Sequence, residues 1–203
     1  MKKILNKNLS RDESTRKRRE LILETAIECF VLKGFHQTSI RDIANSASIS
    51  LGGLYNHFDS KDALISEIAV LEAVELEKFE MILAKYNDPL VAIEKFSSEY
   101  LHYIQQQPNA TLTVEITAEA IRNPIIAEGF IANRKKMSES ISSVLSKGIE
   151  LKQFDPKMNT KEVAELIIDL VEGLGLRSAF LGKKTSKVSR ASLQYMIRKC
   201  LSI

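Results

Sequence analysis

Gly52, Gly53, Tyr55, Asn56 and His57 fall on the outer face of a short helical segment, Ser50 to Phe58, that carries no carboxylate. Tyrosine, asparagine and histidine hydrogen-bond to phosphates or base edges, and paired glycines leave the backbone open to close approach, so this face suits a polyanion. A second constellation, Glu99-x-x-His102 with Glu115 and Glu119 four apart on the next helix, has the spacing of a carboxylate-bridged metal motif. Such a site takes a second Glu-x-x-His, and His36 and His57 lie far upstream, so no metal is expected. No nucleophile elbow, P-loop or dinucleotide fingerprint stands in its proper context, so the sequence implies neither catalytic residues nor an enzyme nor a cofactor. Cys29 and Cys200 make no disulfide framework, and Cys29 reads as a small buried hydrophobe.

The polyanion-facing helix must be held in place. Upstream of it, Thr38 or Ser39 can N-cap a helix, and Ser39 with Asp42 spells a capping box. Ile40, Ile43, Ala44 and Ala47 then recur at helical spacing as one apolar face. That face stops at Ser48-Ile49-Ser50, and Ser50 is a second N-cap opening Leu51 to Phe58. Two helices of about two turns joined by about three residues read as helix-turn-helix. Helices so short hold only when buried against a third. Ile22, Leu23, Ala26, Ile27 and Phe30 supply that face, on a helix from Ser14 that Gly34 stops. Its first turns carry Arg16, Lys17, Arg18 and Arg19, cations that oppose the helix dipole and fit an anion close by.

Ile43-Ala44, G-G-L-Y at 52 to 55, H-F at 57 and 58 and S-K-D-A-L at 60 to 64 resemble the DNA-binding domain of TetR-type transcriptional regulators. With Ile22, Ala26, Phe30 and the Lys33-Gly34-Phe35 ending, the resemblance covers residues 16 to 65. The family usually has glycine where Ser48 stands, a turn position where a positive φ is often needed. The resemblance implies that Arg41 reaches a base in the major groove, where an arginine–guanine pair gives about 1–3 kcal/mol of discrimination. It also implies phosphate contacts from Tyr55 and His57, with Asn56 able to face bases; Lys61, opening the next helix, is placed for a further phosphate. The expected DNA surface is Arg16, Lys17, Thr38, Ser39, Arg41, Ser50, Leu51, Gly52, Gly53, Tyr55, Asn56, His57 and Lys61.

The whole chain is expected to be all-α. Of 203 residues 44% are hydrophobic and 27% charged, with only eight Gly and four Pro to break helices. No run of about 18 apolar residues and no secretory signal occur, so a cytoplasmic protein away from membranes is expected. Residues 1–61 hold 11 Lys and Arg against 7 Asp and Glu, a net of +4, while the remaining 18 and 19 give −1. The positive excess therefore sits with the helix-turn-helix, where release of counterions from DNA would use it. Residues 1–13 read as a flexible basic arm, 14–60 as the helix-turn-helix domain, and 61–203 as a six-helix ligand-binding and dimerisation domain.

Within that second domain a rod from Ser60 to about Tyr86 ends at Asn87-Asp88-Pro89, and further breaks fall at Gln107-Pro108, Asn123-Pro124 and Phe154-Asp155-Pro156. Phe79, Phe96, Tyr100, Tyr103 and Phe130, with Glu115 and Glu119 among them, mix apolar wall and few polar anchors, as a small-molecule pocket does. The helix from 160 to 181 carries two apolar stripes, so it must be buried on two sides. The resemblance implies a homodimer through the last two helices, with Ile168, Val171, Gly175, Leu193, Met196 and Ile197 at the interface. The function expected is a ligand-responsive repressor released from a palindromic operator by a small apolar or amphipathic effector. The alternative is a ligand-independent or protein-partnered DNA-binding regulator whose C-terminal helices only assemble it.

Overall fold

The computed structural model describes residues 2–202, with side chains from Asp12 onward. It consists of α1 (Lys2–Lys33), α2 (Ile40–Ser46), α3 (Leu51–Tyr55), α4 (Lys61–Lys85), α5 (Pro89–Ile104), α6 (Gln107–Ala120), α7 (Pro124–Glu150), α8 (Thr160–Phe180) and α9 (Lys187–Leu201). No strand occurs among the described residues. Local chemistry sets most boundaries. Asp88 accepts from the amides of Leu90 and Val91 with Pro89 in the first turn, and Asn159 and Ser186 cap α8 and α9. α1 begins at Lys2 rather than Ser14, because no glycine or proline interrupts the chain before Gly34. The side chains of residues 1–11 of the basic arm lie outside the described residues.

The chain divides into two compact units, the first ending at Val70 and also taking in Val114–Ala127, the second comprising Leu71–Thr113 and the chain from Glu128 on. Helices α4 and α6 each contribute residues to both. In the first unit Ile22, Phe30, Ile43, Leu54 and Phe58 are buried, so α1 and α4 supply the apolar support that α2 and α3 lack alone.

In the second unit one core joins Phe79, Ile93 and Phe96 to Ile141 and Leu145 of α7, Ile168 and Val171 of α8, and Leu193 and Ile197 of α9. Gly175 lets α8 press onto α5, since a Cβ there would lie 2.5 Å from Ile104 Cγ2. This corrects the expected dimer face. Ile168, Val171, Gly175, Leu193 and Ile197 are all interior to the protomer, and only Met196 of that set is exposed. Both stripes of α8 are apolar; the one bearing Gly175 docks inward, which leaves Leu166, Leu170 and Phe180 outside.

Candidate nucleic-acid interface

The turn that separates α2 from α3 is built by short-range chemistry. Ser39 accepts from the Asp42 amide at 3.1 Å while the Asp42 carboxylate accepts from the Ser39 amide at 2.9 Å, closing the capping box. Those bonds from Ser39, with Lys33 beside them, hold the Asp42 carboxyl down at about 2. Ser48 then takes φ 55, the left-handed conformation, and Ile49 N returns to Ala44 O at 3.0 Å. Ser50 Oγ accepts from Gly53 N at 3.0 Å and starts α3. Leu54 is buried beneath, so Ser50, Gly52, Tyr55 and Asn56 stand exposed, with Leu51, Gly53 and His57 partly so.

Around that helix end the cations divide into two kinds. Arg16 and Lys17 are exposed on α1, in i,i+4 pairs with Glu20 and Glu13 that a phosphate could displace at small cost. Arg41 is exposed on α2, and Arg18 lines a cleft of about 360 Å³ with Ser48, Ser50, Asn56 and His57. Arg19 and Lys61, by contrast, are engaged inside the unit. Arg19 Nη1 donates to the His57 carbonyl at 2.8 Å, its other nitrogens grip Glu67, and its guanidinium lies 4.2 Å from the centre of the Phe58 ring. It thereby ties the end of α3 to both α1 and α4.

Lys61 Nζ donates to the carbonyls of Phe35 at 2.8 Å and Thr38 at 3.1 Å, over the Phe35 ring. Burial pulls its pKa below the ordinary lysine value, against the upward pull of Glu119 and Asp62. The ammonium is a clamp on the α1–α2 turn, not a free cation awaiting a phosphate. Thr38 needs a similar correction: it is buried, its hydroxyl bonded to the carbonyls of Gly34 and Cys29, so it supports the turn from within. Ser39, not Thr38, is the cap that faces solvent.

Glu115 and Glu119 also belong here, and not to a pocket with the aromatic residues. Glu115 accepts from the Phe35 amide at 2.7 Å, and Glu119 Oε2 lies 3.0 Å from His36 Nε2. The turn after α1 is thus held by a carboxylate of α6 on its N–H side and by Lys61 on its carbonyl side. No local pattern announces this, since Phe35 and Glu115 are 80 residues apart.

Phe79, Phe96, Tyr100 and Tyr103 do come together in the second unit, with Phe79 and Tyr100 ring centres 5.1 Å apart and Phe96 stacked on Tyr100 at 5.5 Å. Beside them runs a groove of about 540 Å³ lined by Phe79, Met81, Ile82 and Tyr103, with Lys78, Lys85, Glu99 and His102 at its polar points. Phe96 lies below that surface, fully buried, and Phe130 is half-buried elsewhere in the unit. Tyr103 is pushed up to about 12 by burial and then by Glu72 and Glu75, so its hydroxyl stays a donor. The Tyr100 hydroxyl donates to Glu172 at 2.7 Å, and Arg134 bridges Glu165, Asp169 and Glu172.

Comparison with known proteins gives concordant results. The family model "Bacterial regulatory proteins, tetR family" matches residues 22–68, and "Tetracyclin repressor-like, C-terminal domain" matches residues 120–189. The HTH-type transcriptional regulator UidR of Escherichia coli is 31% identical over 160 residues, covering 77% of this chain and 79% of that one. Among solved structures, a TetR transcriptional regulator from Chloroflexus aurantiacus superposes with a TM-score of 0.80 at 24% identity, over 94% of this chain and 99% of its own. FadR from Bacillus subtilis, solved in complex with stearoyl-CoA, gives 0.77 at 15% identity over 90% and 98%. At those identities the two structures speak for the fold.

Proposed function

The chain belongs to the TetR family of bacterial transcriptional regulators, and from that premise we propose a dimeric repressor that holds a palindromic operator and releases it when a small apolar or amphipathic molecule binds the second unit. The observation that carries the DNA-binding half is the surface of Ser50, Tyr55, Asn56 and His57, which bears no carboxylate and has Arg18 beside Ser50, Asn56 and His57, with Arg16, Lys17 and Arg41 exposed on α1 and α2. Arg41 and Asn56 read base edges in this proposal, while Arg16, Lys17, Tyr55 and His57 take phosphates. Two such surfaces enter successive major grooves only when about 34–36 Å apart.

The effector half is supported by the apolar groove along α4 and α5, whose volume suits a drug-sized molecule. The stearoyl-CoA bound to FadR, a protein of the same fold, is a precedent for an amphipathic occupant. Helix α4 has residues in both units, as does α6, whose Glu115 holds the turn that leads into α2. An effector that shifts either helix alters the spacing of the two reading surfaces. Linkage then requires that operator DNA weaken effector binding by the same factor.

The test is a thermal-shift screen of acyl thioesters, steroids and other amphipathic compounds, with each hit repeated at saturating operator. Effector stabilisation that shrinks when operator is present supports the reading. Effector affinity unchanged by operator refutes it.

A further inference from the structure

Resting on the homodimer reading above, we propose that the dimer's two-fold axis passes through Gly173 of α8, with Asp169 of each protomer paired to the partner's Arg177. When two antiparallel copies of one helix are related by a two-fold axis at residue c, residue i faces the partner's residue 2c − i, and every contact occurs twice. The exposed stripe of α8 is symmetric about Gly173 in this sense. Asp169 and Arg177 stand four residues either side of it, and Leu166 and Phe180 seven either side. Centring the axis on Gly173 therefore sets an acid against a base and an exposed leucine, 52% accessible, against an exposed phenylalanine, 88% accessible.

Neighbouring centres on the same stripe fail this match. An axis at Leu170 would set Asp169 against Val171, buried in the protomer, and one at Arg177 would put its mate at position 185, beyond the end of α8 at Phe180. Gly173 also has the open space a crossing point needs. A Cβ built there meets nothing within 4 Å in the protomer, in contrast to Gly175, whose Cβ would strike Ile104. The glycine that packs α8 inward and the glycine free to meet a second copy are thus different residues. Gly173, Asp169 and Arg177 share the lining of a cavity of about 510 Å³ with Val188 and Met196 of α9, space that the partner's α8 would fill.

The charges are available for this role. Asp169 is 61% exposed and gives only its Oδ1 to Arg134, at 2.6 Å. Arg177 makes no ion pair among the described residues.

Sedimentation equilibrium on the full chain tests the assignment. Gly173→Leu should weaken self-association about tenfold or more by driving two side chains into the axis, while leaving the protomer's helix content unchanged. Arg177→Glu should weaken it comparably by facing carboxylate with carboxylate, and Asp169→Arg by facing guanidinium with guanidinium. Mixed together, those two charge variants should form a heterodimer tighter than either homodimer, because both cross-axis contacts then carry opposite charges. A wild-type dimer that is unchanged by Gly173→Leu, or whose charge variants gain nothing on mixing, overturns the axis and leaves the dimer reading standing. A wild-type protein that stays monomeric at about 100 μM overturns both, since a dimer of useful strength has a far smaller Kd.

Discussion

Replacing Lys61 by methionine separates a clamp from a phosphate contact. The ammonium makes two charge-assisted hydrogen bonds, to Phe35 O at 2.8 Å and Thr38 O at 3.1 Å. Bonds to charged groups contribute about 1.5–3 kcal/mol each when buried, and this side chain is only partly so. Methionine keeps the apolar stem over the Phe35 ring. Discounting for solvent, the net loss is about 2 kcal/mol. With a urea m-value of about 2 kcal/mol/M, the unfolding midpoint of the DNA-binding unit falls by about 1 M. The same variant is then titrated with DNA at several salt concentrations. A lysine on a phosphate contributes about 0.9 to the slope of log K against log salt, so a dimer losing two would drop by about 1.8. The clamp predicts an unchanged slope in protein that remains folded. A slope that falls by that amount, with the urea midpoint unmoved, refutes the clamp and returns Lys61 to the DNA surface.

Arg41→Ala should relax base preference at one position per half-site, by about 1–3 kcal/mol in discrimination, when selected DNA pools are sequenced; an unchanged consensus removes Arg41 from base reading. The Asp42 carboxyl, held at about 2 in the folded protein and near 3.9 when unfolded, contributes stability in full above the unfolded value and loses it as pH falls from about 4 to about 2. Acid titration of stability should therefore show a downward leg in that window that Asp42→Asn lacks, and identical curves for the two proteins would contradict this. Ser48→Gly removes a side chain from a φ of 55 and should stabilise the domain by about 0.5–1 kcal/mol after the glycine's extra unfolded-state entropy; a destabilised variant would mean that the serine side chain contributes more than the strain it bears.

What the sequence disclosed were features written within a few residues of one another. The Ser39–Asp42 box, the Ser50 cap, the Asn87-Asp88-Pro89 break and the strained position at Ser48 all follow from local hydrogen bonds and φ preferences. Features decided by docking were not legible. Two apolar stripes on α8 are equivalent until Gly175 meets Ile104, so sequence alone does not say which of them faces a partner. Arg19 and Lys61 look like any surface cations until the carbonyls of His57, Phe35 and Thr38 are placed beside them. Glu115 and Glu119 read as pocket anchors because nothing near them in the chain reveals the Phe35 amide that Glu115 binds or the His36 ring beside Glu119.

Selection of random DNA duplexes by the purified protein, followed by measurement of the protein-to-duplex ratio on the winning sequence, bears most directly on the central claim. A dimeric operator-binding repressor enriches an inverted repeat with half-site centres about 10 base pairs, or a multiple of that turn, apart, each duplex holding a whole number of dimers. Enrichment of a single asymmetric site bound by one protomer, or no enrichment at all, would contradict it.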